Sequence, residues 1–492
     1  MKYFDEHRNA IIMMIVFALG VATINTSYAG NDRVSGRTIG MARTFVASSR
    51  GLDAIGLNPA NLALPDRGNT VTFQFAPFGL RAGSDFINYG IYQDFFTGED
   101  SIVAATGQPY HDSITGQTKR IPKKLSESDK DQILGLFPGG IAHTQFNFDI
   151  TEFGLSYQSA TIGGIGLSVS DRIGINLDIP EGYMKFLLEG FDEFGSLYTF
   201  DNTSVTASWL REFNLSYARV LPIELKWVKN ISVGIGIKYI QGFGYLGTDH
   251  YFGNINNNIG VDSVGIPFGS LTGNFDFLQY QSYDTSKISG SNLVDHLTKP
   301  AGTGIGFDFG VSAELFQALR VGISITDIGK VTWDKGNQAI IGTGKFEVTD
   351  YHGVDTVGNA FKGKTVDTTS FTSSLPTALH IGAALQVDKA AFISSFPGQL
   401  LVAMDVHFGF NNEPGNSKTP RFSLGAEYRP VNIIPIRTGI SVGGRERFTW
   451  SFGFGINTPV WDMDLGTESI ALLTNPNGFR SGSFTFGMRF RI

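Results

Sequence analysis

The sequence predicts an all-β fold: a transmembrane antiparallel β-barrel of about fourteen strands, with an N-terminal plug segment and long extracellular loops. Three observations predict it. Apolar residues stand singly, alternating with polar ones, as in "SGSFTFGMRFRI", where Phe484, Phe486, Met488, Phe490 and Ile492 oppose Thr485, Gly487, Arg489 and Arg491. Such a face needs lipid or a second sheet against it, and a barrel turns it to lipid. Aromatics reach 13% with 41 Phe, Gly is 61 of 492, and mean hydropathy is +0.00. Yet beyond the first thirty residues no stretch approaches the roughly 20 apolar residues of a membrane helix.

The chain opens with Lys2, His7 and Arg8 (offset by Asp5 and Glu6), followed by an apolar run from Ala10 to Ala22. Ser27-Tyr28-Ala29 supplies small residues where a signal peptidase reads them, so residues 1–29 are expected to be a signal peptide. Residues 30–69 follow, including "GLDAIGLNPANLALPDRGN", too apolar for a linker and broken by Pro59 and Pro65. Asn58 suits an N-cap and Pro59 the first helical position, so Asn58–Leu64 should form one helical turn. The segment precedes the first strand on the periplasmic side, where it can fold up into the barrel. Residues 70–492 are the barrel.

Strands are expected at 70–77, 143–158, 162–178, 204–219, 230–245, 303–316, 319–333, 373–388, 399–410, 419–430, 435–443, 447–457, 460–470 and 481–492. Segment 143–158 changes phase near Thr151, which implies a bulge or a misplaced strand edge. Even-numbered connections are mostly short ("SATI", "FQAL", "PVNIIP", "NTPV"), while 78–142, 179–203, 246–302 and 334–372 are long. Short periplasmic turns and long outer loops give that asymmetry. In "LSESDKDQILGLF" Ser126 can cap a helix with Asp129 three residues on, and Ile133, Leu134 and Phe137 share a face. In "EGYMKFLLEGFDEFGSLY" Tyr183, Phe186, Leu187, Gly190, Phe191 and Phe194 fall on one helical stripe. Either these helices pack on each other as a cap, or the second is an apolar landing site above the mouth. Loop 246–302, with "GNINNNIG", is polar and uninformative.

Chemistry is sparse. With no cysteine, disulfides, thiol catalysis, Cys-ligated zinc and a lipoprotein anchor are excluded. A net charge of −7 without a basic run argues against nucleic acid. The eight His show no metal spacing, no cofactor motif is present, and no enzyme is expected. Gly439-Ile440-Ser441-Val442-Gly443 fits G-x-S-x-G, but another strand follows where a helix is required. Gly242 to Gly247 fits G-x-G-x-x-G without a βαβ unit. If apolar residues face lipid, the lumen carries Asp308, Glu314, Asp405, Glu427, Arg421, Arg429, Arg437, Arg447, Arg489 and Arg491, with His407 beside Asp405. Mutual pairing is the expected reading, since buried charges need partners. Arg421, Arg429 and Arg437 are also the candidates to hold a carboxylate on a passing ligand.

Gly40, Ala54, Asn58-Pro59-Ala60 and Leu62, followed by the first strand, resemble the N-terminal hatch of the FadL-type outer-membrane transporters. "AGTGIGFDFGVSAELFQALRVGISITDIGKVTW" (Ala301 to Trp333), "LPTALHIGAAL" and "RFSLGAEYRP" resemble pieces of the same family. The PorV-type barrel of the type IX secretion system is similar in architecture and hatch motif. The resemblance implies a bacterial outer-membrane barrel whose hatch, with Asn58, Pro59, Ala60 and Leu62, closes the lumen. It implies that hydrophobic small molecules, long-chain fatty acid-like, are captured outside and released through a gap in the wall. Ala42-Arg43 stands where such proteins often carry Gly-Gly, and the outer loops share no clear pattern, so substrate identity does not carry over. The expected partners are outer-membrane lipid and a hydrophobic small molecule; the alternative is a secretion-system protein docked on the long loops, with nothing small crossing.

Overall fold

The computed structural model describes residues 35–66, 70–100, 108, 120–121, 123–190, 194–223, 228–261, 263–264, 267–283, 299–315, 318–349, 362–390, 396–470, 477–478 and 480–492. Fourteen antiparallel strands close into a barrel. They are β1 (Val71–Phe75, resumed as Phe78–Ser84), β2 (Ile141–Ser159), β3 (Gly163–Pro180), β4 (Ser204–Leu221), β5 (Val228–Asn257), β6 (Gly302–Leu315) and β7 (Leu319–Trp333). Then follow β8 (Phe371–Ser374 and Ala378–Gln386), β9 (Gln399–Gly409), β10 (Arg421–Val431), β11 (Ile434–Gly443), β12 (Arg447–Asn457), β13 (Trp461–Thr467) and β14 (Ser481–Arg491). Phe73 faces Phe490 and Phe78 faces Phe486, so β14 pairs with β1 and leaves no edge. Alternation is the cause: Phe448, Trp450, Phe452 and Phe454 point outward and exposed, while Thr449 and Ser451 are buried in the lumen. Among the described residues no helix is long and apolar enough to cross a membrane.

The expected bulge lies between Thr151 and Phe153 in the pairing of β2 with β3. Two expectations need correction. The first strand does not stop at residue 77: Ala76, at φ 49, and Pro77 interrupt it, and pairing resumes to Ser84. The described part of loop 246–302 is largely strand. β5 is 30 residues long, three times the roughly 9–11 a membrane crossing needs. Its upper half pairs with Leu271–Ser282, which pairs with Asn337–Val348; Lys364–Asp367 and Ser196–Thr199 flank this outer extension. One face is apolar, with Tyr198, Phe200, Tyr251, Ile255, Phe275, Phe277 and Phe346 buried together. Its aromatics lie over glycines of the neighbouring strands, Phe346 over Gly273 and Phe275 over Gly253.

Helix Glu127–Leu134 has the expected cap: Ser126 Oγ accepts the Asp129 amide, and Asp129 accepts the Ser126 amide at 2.9 Å. The second helix, Glu181–Glu189, ends at Gly190, whose φ of 58 breaks the expected stripe before Phe194. The two helices touch.

Candidate functional site: the lumen and its mouth

From the short-turn end upward, three layers fill the barrel. Lowest is the N-terminal segment, buried almost throughout residues 36–64. Asn58 caps the 3-10 turn Pro59–Ala63 through the Ala60 amide and is itself fully buried. Its Nδ2 donates to the Val46 carbonyl and to Ser312 Oγ of β6, both at 3.0 Å. Asn61 donates to the same Val46 carbonyl at 2.8 Å, and Ser324 of β7 to the Leu57 carbonyl at 2.6 Å. Asp405 of β9 accepts the Phe45 and Val46 amides at 2.6 and 2.9 Å. Side chains of the wall thus satisfy backbone that has no secondary-structure partner, as buried peptide groups require.

The wall receives this backbone on glycine. Gly234 pairs with Gly310, Gly425 with Gly439 and Gly453 with Gly466. A Cβ at Gly439 would lie 2.7 Å from the Met41 carbonyl carbon, and one at Gly40 would lie 2.8 Å from Gly453 Cα. Pro59 and Ala60 lie against Gly234, and Leu62 against Gly164. Apolar parts of the segment fill the gaps: Leu52, Ile55 and Leu62 meet Ala218, and Phe45, Val46 and Leu57 meet Ala384 and Leu401.

Charges lock the seat. Asp53 accepts from both terminal nitrogens, Nη1 and Nη2, of Arg489, at 2.8 and 3.0 Å; Asp66 takes Arg491 at 3.2 Å; Arg50 faces Glu314 at 3.6 Å. Arg37 joins Arg429 and Arg437 on the one carboxylate of Glu427, at 3.4, 2.7 and 2.6 Å, and Arg437 also holds Asp464 at 2.7 Å. Arg421 approaches His407 Nδ1 at 3.0 Å, and His407 stacks beside His380, which bonds Thr326 at 3.0 Å. Arg421, Arg429 and Arg437 are therefore engaged within the protein, and both His face inward. Arg447 is half-exposed at the rim, 3.6 Å from Asp85, not in the lumen.

The second layer is a band of buried ions above the segment. Lys238 binds Asp308 at 2.9 Å and also Asp327; Arg172 binds Glu212 at 2.8 Å, and Asp149 and Asp327 at 3.5 Å. Across the lumen Arg43 binds Glu468 and Glu446, and Arg81 binds Glu446 at 2.6 Å. An apolar molecule on the barrel axis would have to part these pairs, which buried in low dielectric resist separation.

The third layer is apolar but lies to one side. Trp333, fully buried, donates to Ser373 Oγ at 2.9 Å. Around it pack Leu210, Ile240, Val331 and Leu375, with Tyr245 and Phe371 at 5.4 and 6.5 Å between ring centres. Tyr280 stacks on Phe371 at 5.2 Å, leading up toward the aromatic face of the outer extension. At its foot the wall is irregular. β8 is interrupted at Leu375–Thr377, Asp327 of β7 has a φ of 56, and the β6–β7 register slips between Phe307 and Phe309. On the opposite side a cavity of about 60 Å³ lies between the N-terminal segment and the Ala76–Pro77 break.

The second-helix residues divide. Tyr183 packs on Phe200 at 4.5 Å and Phe186 on Tyr198 at 5.2 Å, so both roof the extension's core. Leu187 and Phe194 are 76% and 62% exposed. Phe191 lies outside the described residues. Sequence reasoning missed Arg37, Arg43, Arg50, Asp53 and Asp66. Their signal was charge within an apolar segment, which demands partners from the lumen.

Solved barrels of low similarity accompany this architecture. A FadL homologue of Pseudomonas aeruginosa is 12% identical over 94% of this chain and 99% of its own, with a TM-score of 0.44. The Pseudomonas putida toluene transporter TodX is 9% identical over 94% and 98%, with a TM-score of 0.37. The translocator domain of the autotransporter NalP from Neisseria meningitidis is 9% identical over 86% and 89%, with a TM-score of 0.26. Likenesses this weak carry no functional argument. No curated protein matches the chain. A family model described as a family of unknown function (DUF5723) matches residues 102–463, most of the barrel, and the chain belongs to that family.

Proposed function

We propose that this is a bacterial outer-membrane barrel for passive uptake of hydrophobic small molecules, long-chain fatty acid-like ones among them, gated by the N-terminal segment as a hatch. One observation carries the reading. The apolar cluster around Trp333 and Phe371 stands below an aromatic outer face and ends at the wall interruption Leu375–Thr377, while segment and ion band fill the axis. An apolar ligand would gather on the extension, descend among Tyr280, Phe371 and Trp333, and leave sideways into the membrane. Burying such a ligand gains about 25 cal/mol per Å² of apolar area, whereas the ion band offers no comparable surface. The Asn58–Leu62 turn keeps the axis shut, and only a ligand with different affinity for two hatch positions would shift it.

The test is uptake of a fluorescent long-chain fatty acid by proteoliposomes. Leu375→Asp and Trp333→Asp put a charge into the apolar route and should abolish uptake while the barrel still shows heat-dependent gel mobility. Uptake at the unmodified rate in both variants would overturn the route. A second reading, a secretion-type barrel that docks a protein, is favoured by exposed Leu187, Phe194, Val264 and Phe268 on the outer extension. It predicts a stoichiometric protein partner and no bound lipid-like molecule.

A further inference from the structure

The outer connection between β9 and β10, Phe410–Pro420, turns inward and lies across the mouth. Asn176 of β3 reaches three of its carbonyls with one amide nitrogen, at 2.9 Å from Asn412, 3.1 Å from Glu413 and 3.4 Å from Asn416. Asn411 and Asn416 in turn donate to the Leu375 and Thr377 carbonyls, at 2.7 and 3.1 Å, inside the interruption of β8. Pro414 rests on Gly174, where any Cβ would collide with its ring. The connection therefore bridges β3 to β8 and touches the apolar route at both Leu375 and Tyr245.

We propose that Phe410–Pro420 is a strap that shuts the mouth of the apolar route when Glu413 is protonated and lifts when Glu413 ionises. This rests on the uptake reading above. The Glu413 carboxyl sits in a small cavity with Tyr245, Ser208, Ser373 and Pro376. The charged groups facing it there are Arg81, Asp149 and Arg172. Arg81 is held by Glu446, and Arg172 by Glu212, Asp327 and Asp149, so the geometry commits these cations to other carboxylates. Tyr245 offers a hydroxyl, which only partly offsets burial, and the carboxyl is pushed from 4.5 up to about 7. The sign follows. A lifted strap loses the proton near the ordinary value, a seated one near 7. Seating is therefore strongest in acid, weakens as pH rises between those two values, and changes no further above them.

The chain has no cysteine, so single thiols report cleanly. In Ser208→Cys the thiol lies under the strap, and in Lys345→Cys it lies on the exposed extension. The ratio of their labelling rates by a water-soluble maleimide removes the thiol's own pH dependence. The ratio should rise several-fold from pH 5 to pH 8, by at most about tenfold per pH unit for one proton. Adding Glu413→Gln should hold it low throughout. A ratio that ignores pH, or that keeps its pH dependence in Glu413→Gln, would overturn the proposal. Asn176→Ala, which removes the donor to three strap carbonyls, should raise the ratio at pH 5 and speed fatty-acid uptake there; an unchanged ratio would also overturn the proposal. If labelling behaves as stated but no form takes up ligand, the strap stands and the uptake reading fails.

Discussion

Replacing Gly439 by alanine tests how the N-terminal segment is held. The new Cβ would lie 2.7 Å from the Met41 carbonyl carbon, 2.9 Å from Ala42 Cβ and 2.9 Å from the Leu424 carbonyl oxygen. Two of these are backbone atoms. Carbon contacts are comfortable at about 3.5–4.0 Å, so the segment must withdraw by about 1 Å. Its φ is not positive, so alanine itself is tolerated there and reduces unfolded-chain entropy by about 0.4–1 kcal/mol. Overpacking costs about 1–3 kcal/mol, so the collision wins. Gly425 faces Gly439 in the ladder and meets Met41 and Thr44, so a Gly425→Ala/Gly439→Ala double variant loads one seat from two strands. Its effects should not simply add. The assay is conductance in planar bilayers beside the midpoint of heat-dependent gel mobility. Gly244→Ala is the control, because a Cβ there meets nothing within 4 Å. The double variant should leak while the control stays closed. A double variant as tight and as heat-stable as the control would refute the reasoning.

Three further outcomes are expected. Arg437→Met leaves Glu427 and Asp464 facing each other across a site that held a fully buried cation, and should cost about 3–5 kcal/mol in the same mobility assay; an unchanged midpoint would contradict the pairing. Asn58→Ala removes the cap on Ala60 and the donors to Val46 and Ser312, so it should loosen the segment by about 1–3 kcal/mol, read as faster protease cleavage within residues 36–64. In the outer helix Glu127–Leu134, the hydrogen bonds from Ser126 hold the Asp129 carboxyl below its usual range. Its contribution is therefore complete at neutral pH and lost only as pH falls through that depressed value, so exchange protection of peptide 126–137, corrected for intrinsic rate, should be flat from pH 7 to pH 5. A steady decline across that range would contradict the cap.

The barrel was legible because lipid enforces alternation: "RFTWSFGFGI" and "SGSFTFGMRFRI" can present one apolar face only as strands. The Asn58 turn was legible for a local reason, since Asn before Pro fixes both cap and first helical residue. The upper half of β5 was not. Above the membrane no lipid enforces the pattern, so loop 246–302 reads as polar and uninformative, and at Gly253 a glycine stands under the Phe275 ring where an apolar residue would have marked the strand. Glycine hid the seat in the same way. Gly234, Gly310, Gly425 and Gly439 occupy lumen positions where alternation predicts polar residues, and nothing in the sequence alone marks them as room for a second backbone. Leu187 and Phe194 shared a stripe with Tyr183 and Phe186 only while Gly190 was assumed helical. The strap Phe410–Pro420 has no periodicity at all; three asparagines hold it, each bonding to backbone of another element.

Mass spectrometry of whatever accompanies the barrel extracted from its native membrane in mild detergent tests the central claim most directly. The account predicts a stoichiometric apolar small molecule, such as a fatty acid or hydrocarbon, that is lost from the Trp333→Asp variant. A stoichiometric protein partner with no such molecule would contradict it and leave the docking role in its place.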